Sequence, residues 1–158
     1  HYPGQPAGRH RILRTGSAMS DAIIRAAIES RLTAWAKAQS PAIPIAYENM
    51  GYKPVTGQRY LRGTLMPAGT LNPSLGGEHS RYHGFYQVDV FIPANGGTGP
   101  SGALTKAVEV LFKRPTVIPS GDLNVRINRT PSVGPGMPDD AGFYMVPVTI
   151  WYDLDDFS

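Results

Sequence analysis

The chain of 158 residues contains no cysteine. It therefore has neither a disulfide framework nor a thiolate metal site, and this composition fits a reducing compartment. It also lacks any run of about 18 apolar residues, so we predict no membrane-spanning helix. Its length fits one domain that is large enough to bury a core, and its 15 prolines and 18 glycines indicate many turns.

Acidic residues are absent from residues 1–18, which contain Arg9, Arg11 and Arg14. The whole chain has a formal charge of +3, from 15 Lys and Arg against 12 Asp and Glu. Without the three leader arginines, residues 19–158 carry 12 of each sign and are neutral. A nucleic-acid groove needs clustered Lys and Arg to release counterions from phosphate. We therefore predict no specific nucleic-acid binding.

Residues 1–18 also lack a helical or strand period, and they lack the apolar core of a secretory signal. They precede Met19-Ser20-Asp21, which resembles a true start followed by a helix cap. We predict a disordered leader, introduced by cloning or by a start placed too far upstream, and a single domain over residues 19–158. The alternative is a basic arm that touches DNA or a neighbouring subunit.

Catalytic and cofactor signatures are missing as well. The sequence NGGTGPSG before a predicted helix lacks the GK[ST] ending of a phosphate loop, and no G-x-S-x-G elbow occurs. His79 and His83 would lie about 13 Å apart in an extended chain, which is too far for one metal ion. Asp139 and Asp140 lie in a turn and are expected to be solvated. We predict no enzyme activity, no cofactor and no metal.

Two amphipathic helices are predicted from apolar residues at spacings of three and four. The first runs from Ser20, as its N-cap, to about Gln39, and Pro41 stops it. The second follows the NGGTGPSG loop and ends before Pro115. Their apolar stripes are Ile24, Ala27, Ile28, Leu32 and Trp35 in the first helix, and Leu104, Ala107, Val108, Leu111 and Phe112 in the second.

Alternating segments predict five strands. They are about Ile43–Glu48, Tyr60–Met66, Arg81–Ile92, Leu123–Ile127 and Tyr144–Tyr152. A long exposed loop, Pro67–Ser80, joins the second to the third. Pro147 indicates an edge position or a bulge, and the acidic residues after Tyr152 are expected to be solvated. The order α-β-β-β-α-β-β predicts an α+β fold with a mostly antiparallel sheet and two amphipathic helices on one face.

The strand that ends at Ile92 carries different residues on its two faces. Val88 and Val90 lie on one face, and Phe85 lies on the other together with the apolar exception Phe91. Trp151 of the last strand also falls opposite the Val and Ile set. We predict that this second face is partly an interface with another subunit. The alternative is that helices cover both faces.

Several segments resemble the phage tail terminator-like proteins: YLRGTLMPAG, LNPSLGGEHSRYHGFYQVDVFIP and the GTGPS opening of a helix. The resemblance begins at MSDAIIRAAIESRLTAW and ends near VPVTIWYDLD. It implies an α+β virion protein that forms a hexameric ring, caps the tail tube, ends tube polymerisation and provides a head-joining surface. The implied partners are further copies of the chain, the tail tube protein and the head–tail connector protein. The implied location is the virion tail, after assembly in the host cytoplasm.

The resemblance assigns no contact residues, so we choose the long loop for its length and its apolar leucines. The candidate assembly interface comprises Leu71, Asn72, Leu75, Glu78, Arg81 and Phe85. One alternative function is another tail, tube or head-completion protein of similar fold, which would be favoured by open polymerisation. The other is a small α+β ligand-binding or enzymatic domain, which would be favoured by saturable binding of a metabolite or a bound ion.

Overall fold

A computed structural model describes the backbone of residues 7–71, 79–139 and 141–157. Side chains are described for residues 19–70, 79–139 and 141–157. The elements are α1 (Ala7–Lys37), β1 (Ile45–Ala46), β2 (Tyr60–Leu71), β3 (Ser80–Pro93), α2 (Gly99–Leu111), β4 (Thr116–Ser120), β5 (Leu123–Ile127), β6 (Ser132–Val133), β7 (Met137–Asp139) and β8 (Phe143–Asp156). Neither described helix is long and apolar enough to cross a membrane.

The strands form one mixed sheet in the order β1-β2-β3-β8-β5-β4. Strand β1 pairs with β2 in parallel, and all the other described pairs are antiparallel. The short strands β6 and β7 pair with β8 on the side that β5 also uses, because β3 occupies the other side along the full length of β8. The predicted α+β fold with a mostly antiparallel sheet is confirmed.

Both helices pack on one face of this sheet and form the main core with it. The predicted stripes are largely correct, since Ile28 and Leu32 of α1 and Leu104 and Val108 of α2 are buried there. The strands contribute Leu61, Leu65, Tyr86, Val88, Val90, Ile92, Val125, Ile127, Val148, Ile150, Tyr152 and Leu154. Each fully buried aliphatic side chain stabilises the fold by about 1.5–3 kcal/mol, so this face supplies most of the stability.

The predicted start of the first helix is wrong. Helix α1 begins at Ala7, so Ser20 lies inside the helix, where it is buried and cannot be an N-cap. The backbone of residues 7–18 is helical, although we predict no regular structure there from the sequence. Extending an existing helix fixes one residue for each hydrogen bond gained, whereas nucleation fixes several residues for one bond. A segment without an amphipathic period can therefore continue a helix that the domain has nucleated.

The predicted loop between β2 and β3 is too long. Strand β2 continues to Leu71 and β3 begins at Ser80, so the first part of the loop is strand. An irregularity between Pro67 and Gly69 shifts the pairing by one residue, with Pro67 opposite Gly84 and Gly69 opposite His83. Such a bulge hides a strand from sequence analysis because it interrupts the alternation of side chains. Residues 72–78 lie outside the described residues.

Of the two positions predicted for Pro147, the edge is wrong, because β8 lies between β3 and β5. An irregularity does occur there, because the pairing shifts by one residue between Val148 opposite Val133 and Met145 opposite Met137. The Pro147 carbonyl accepts a hydrogen bond from the Gly134 amide at 2.9 Å. In an antiparallel ladder the N–H and C=O of one residue point to the same neighbour. The side of β8 on which Pro147 lacks an N–H donor therefore faces Gly134, which lies in the gap between the short strands β6 and β7. Strands β4, β6 and β7 have no counterpart in the predicted strand set.

Candidate assembly face

The second face of the sheet, called here the open face, differs from the helix-covered face. It carries alternate residues of β2, β3 and β8, and the buried apolar cluster described on it is Tyr60, Phe91 and Phe143 with Tyr52 and Met145 beside them. No described residue of either helix belongs to this cluster. The prediction that helices leave the second face uncovered is therefore confirmed for the described part of the chain.

The strand register aligns side chains in rows across the open face. Met66 of β2 lies opposite Phe85 of β3, which lies opposite Trp151 of β8. All three are at least partly exposed. The guanidinium of Arg129 lies 3.8 Å from the centre of the Trp151 ring and extends the row by one cation. Directly opposed side chains are in contact distance, so this aromatic row is a continuous apolar strip across three strands.

Polar rows flank the aromatic row on both sides. Thr64, Gln87 and Thr149 form the row nearer the start of β2. His83, Asp153 and Arg126 form the row on the other side. An apolar centre within a polar rim is the usual arrangement of a protein–protein interface.

The acidic end of β8 takes part in ion pairs, so the expectation that it is solvated is wrong for Asp153 and Asp155. The Arg81 guanidinium donates to Asp155 at 2.7 Å, and His79 lies at the same distance from that carboxylate. Arg126 pairs with both aspartates, at 2.8 Å for Asp153. The hydrogen bond from Arg81 is the main cause that lowers the pKa of Asp155 to about 2, with help from His79 and Arg126 and against the effect of burial.

Among the described residues of the open face, Asp89 is the charged residue that is nearly fully buried, at 2% exposed. Its carboxylate accepts hydrogen bonds from Arg62 at 2.8 and 3.1 Å and from Gln87 at 2.7 Å. Arg62 also lies over the ring of Phe91 at 5.0 Å. Such pairing removes the penalty of a lone buried charge.

Phe91 was expected to contribute to the interface, but it is buried. Its ring stacks on Tyr60 at 4.4 Å between centroids, and Phe143 packs edge-on against Tyr60 at 5.2 Å. Only 2% of Phe91 is exposed, so a partner could not reach it without displacing these rings. Phe85 and Trp151, by contrast, keep the exposure that an interface requires.

The residues of the predicted assembly interface are only partly brought together. Arg81 and Phe85 both lie on the open face in β3. The backbone of Leu71 lies opposite Arg81 at the end of β2. The remaining three, Asn72, Leu75 and Glu78, lie outside the described residues. Sequence reasoning placed Met66 at the end of a predicted strand but did not include it in the interface, and it missed Arg129, which follows a strand and carries no periodic signal.

The outer edge of β2 is protected from pairing with another strand. The Leu61 amide donates to Pro44 at 3.0 Å, and the Leu65 amide donates to the Glu48 carboxylate at 2.7 Å. Pro67, the next residue of the same parity, has no N–H. Edges without available donors resist strand addition. The sheet faces are therefore better suited to assembly than this edge.

A buried polar contact lies on the helix-covered face, away from the aromatic row. The Tyr86 hydroxyl donates to Glu29 at 2.6 Å. Burial raises the pKa of Glu29, although this hydrogen bond and the nearby Arg25 oppose the shift. Gly63 leaves room for the contact, because a Cβ there would overlap the Tyr86 hydroxyl. The arrangement joins α1 to the sheet.

A groove of about 890 Å³ lies between the end of α1, the start of α2 and the end of β3. Its walls include Trp35, Ile92 and Leu104, and Arg59 is its one charged residue among those described. No acid–base pair lines it. The described residues also contain no group of three His, Asp or Glu side chains placed to hold a metal ion.

An open sheet face with an apolar row and a polar rim is an arrangement that protein–protein interfaces commonly have. The family model of phage tail terminator protein matches residues 23–152. The chain therefore belongs to the phage tail terminator family and has a structural role in the virion tail. A solved protein structure without a functional name is 37% identical, with a TM-score of 0.73, and the match covers 86% of this chain and 96% of that chain. No curated protein matches the sequence.

Proposed function

We propose that this protein caps the phage tail tube as a closed ring, ends tube polymerisation and provides a surface for joining the head. Family membership supports the role in the tail. The observation that carries the proposal is the open face, where Met66, Phe85 and Trp151 form an exposed apolar row. In an isolated monomer this apolar row within a polar rim stays exposed to water, whereas an assembled ring would bury it.

The action of the ring is binding alone. A head-to-tail contact joins two different surfaces of neighbouring subunits. It gives a closed ring when the rotation between neighbours, repeated from subunit to subunit, adds up to one full turn. The aromatic row supplies one of these surfaces with apolar area and rigid rings. Most charges beside the row are already paired, as Arg81 with Asp155 and Arg126 with Asp153, so a partner need not neutralise those on binding.

The proposed partners are further copies of the chain, in a hexamer, together with the tail tube protein and the head–tail connector. The connection between β2 and β3 remains a proposed contact, through Leu71, Asn72, Leu75 and Glu78. Its flanking strands, β2 up to Leu71 and β3 from Ser80, both contribute residues to the open face.

The test is the mass of the full chain, by light scattering coupled to size exclusion, alone and with tail tubes of the parent phage. We expect about six chain masses, or binding at the tube end when the free protein is monomeric. Phe85→Asp should abolish both. Val110→Asp is the matched control, because Val110 is 56% exposed on α2, and it should leave both unchanged. Open-ended polymers of the wild-type chain would instead indicate a tube protein.

A further inference from the structure

We infer that the hollow around Arg129 and Trp151 binds a segment of a partner protein that presents a carboxylate beside an apolar side chain. This inference rests on the proposed function and specifies the chemistry of the partner at the open face. The hollow has a volume of about 420 Å³ and lies between β3 and β8. Phe85 and Trp151 line it with aromatic surface, Arg81, His83 and Arg129 line it with basic groups, and Asp153, the one acid among its described lining residues, is paired with Arg126.

Arg129 differs from the other arginines of the open face. Arg62 pairs with Asp89, Arg81 pairs with Asp155, and Arg126 pairs with Asp153. Within the described residues Arg129 has no carboxylate partner, and its one recorded contact is the Trp151 ring. No described carboxylate therefore neutralises the positive charge at this end of the row.

The stacked position prepares Arg129 for an anion. The Arg129 guanidinium lies over the Trp151 ring, with its central carbon 3.8 Å from the ring centre, and this contact holds the cation at the end of the row. A guanidinium that lies over a ring keeps its edge N–H groups available to a second partner. Those donors match a carboxylate in bidentate geometry. The nearest acid, Asp153, already accepts hydrogen bonds from Arg126 and Asn128, both at 2.8 Å. An incoming carboxylate could thus accept hydrogen bonds from Arg129 N–H groups that no described carboxylate already uses.

The aromatic row indicates which kind of side chain the partner segment presents beside its carboxylate. Met66, Phe85 and Trp151 continue from Arg129 across three strands, so a side chain next to the carboxylate would lie on aromatic surface. Tryptophan and arginine are the residues most enriched at the energetic centres of interfaces. A phosphate backbone would use the guanidinium but would leave this apolar strip uncovered, so the geometry favours a protein.

The experiment compares three variants of the full chain in sedimentation velocity, alone and with tail tubes of the parent phage. Arg129→Glu should weaken association by about tenfold or more, because it opposes the incoming carboxylate. Arg129→Lys should have a smaller effect, since it keeps the charge but loses the stacked planar donor set. Lys113→Glu makes the same charge reversal at an exposed site after α2 and should change association less than about twofold.

The possible outcomes separate this inference from the proposed function. If Phe85→Asp prevents assembly and folded Arg129→Glu assembles like the wild type, the inference is overturned and the proposed function stands. If the wild-type chain neither forms rings nor binds tubes, both fail. Should Arg129→Glu lose its thermal unfolding transition, Arg129→Gln gives the same test without a new charge. Binding of duplex DNA that Arg129→Glu removes would assign the hollow to nucleic acid and overturn the inference.

Discussion

The two faces of one sheet are built from the same strands but serve different purposes. On the helix-covered face, Val88, Ile150 and Leu154 are fully buried against α1 and α2. On the open face, Phe85 and Trp151 remain partly exposed, and the acids beside them are held in ion pairs. Because side chains alternate along a strand, adjacent residues belong to different surfaces. The comparison shows that one strand carries core residues and partly exposed residues at alternate positions.

The largest expected effect comes from the same substitution made on the two sides of the sheet. Phe112 at the end of α2 is fully buried, and Phe112→Ala should lower the free energy of unfolding by about 3–5 kcal/mol. Phe85→Ala should lower it much less, because Phe85 already contacts solvent on the open face. Urea unfolding followed by circular dichroism measures both. Equal losses for the two variants would show that the open face is part of the folding core.

A smaller effect is expected where the sheet bends. A Cβ added at Gly84 would lie 2.6 Å from the Met66 carbonyl oxygen and 2.8 Å from the Ala68 amide nitrogen, both backbone atoms of the bulge in β2. Gly84→Ala should therefore cost about 1–3 kcal/mol and disturb the aromatic row through Met66.

The control for this change is Gly102→Ala in α2, where a Cβ would meet nothing within 4 Å. Alanine favours a helix interior over glycine, so this variant should gain about 0.5–1 kcal/mol. Thermal unfolding of the two variants gives the comparison. A neutral Gly84→Ala would mean that the bulge can shift without cost.

The smallest expected effect is a difference in pH dependence between the faces. Asp155 on the open face has a folded pKa of about 2, below its ordinary value of 3.8. Its contribution to stability is therefore present above about pH 3.8, and it is lost as the pH falls towards 2. Glu29 on the helix-covered face has its pKa raised above 4.5 by burial, so its contribution is complete below pH 4.5 and falls as the pH rises through the folded pKa.

Urea unfolding at several pH values, with Asp155→Asn and Glu29→Gln, separates these two contributions. Asp155→Asn should reduce the loss of stability in acid, and Glu29→Gln should reduce the loss above pH 4.5. If Asp155→Asn leaves the acid limb unchanged, the ion pairs with Arg81 and Arg126 do not stabilise the folded state.

The sequence predicted the elements that have a simple period. The two apolar stripes, the strand that contains Val88 and Val90, and the placement of Phe85 opposite them all follow from side-chain alternation. What it missed has no periodic signal. The bulge at Pro67 and Gly69 interrupts β2, and β4, β6 and β7 are short strands that exist because β5 and β8 offer them edges. Ser20 was wrongly predicted to be an N-cap because serine occurs both at N-caps and inside helices, and the residue type alone does not separate the two positions.

By itself the sequence determined the fold class, the core stripes, the existence of a second sheet face and the resemblance to tail terminators. These depend on local periodicity and on whole segments, which are properties of the chain in order. Only the tertiary structure decided which side chains meet across strands: Asp155 with Arg81 and Arg126, Phe85 with Met66 and Trp151, and Arg129 over the Trp151 ring. Such contacts depend on register and on bulges, and a shift of one residue would place every side chain on the opposite face.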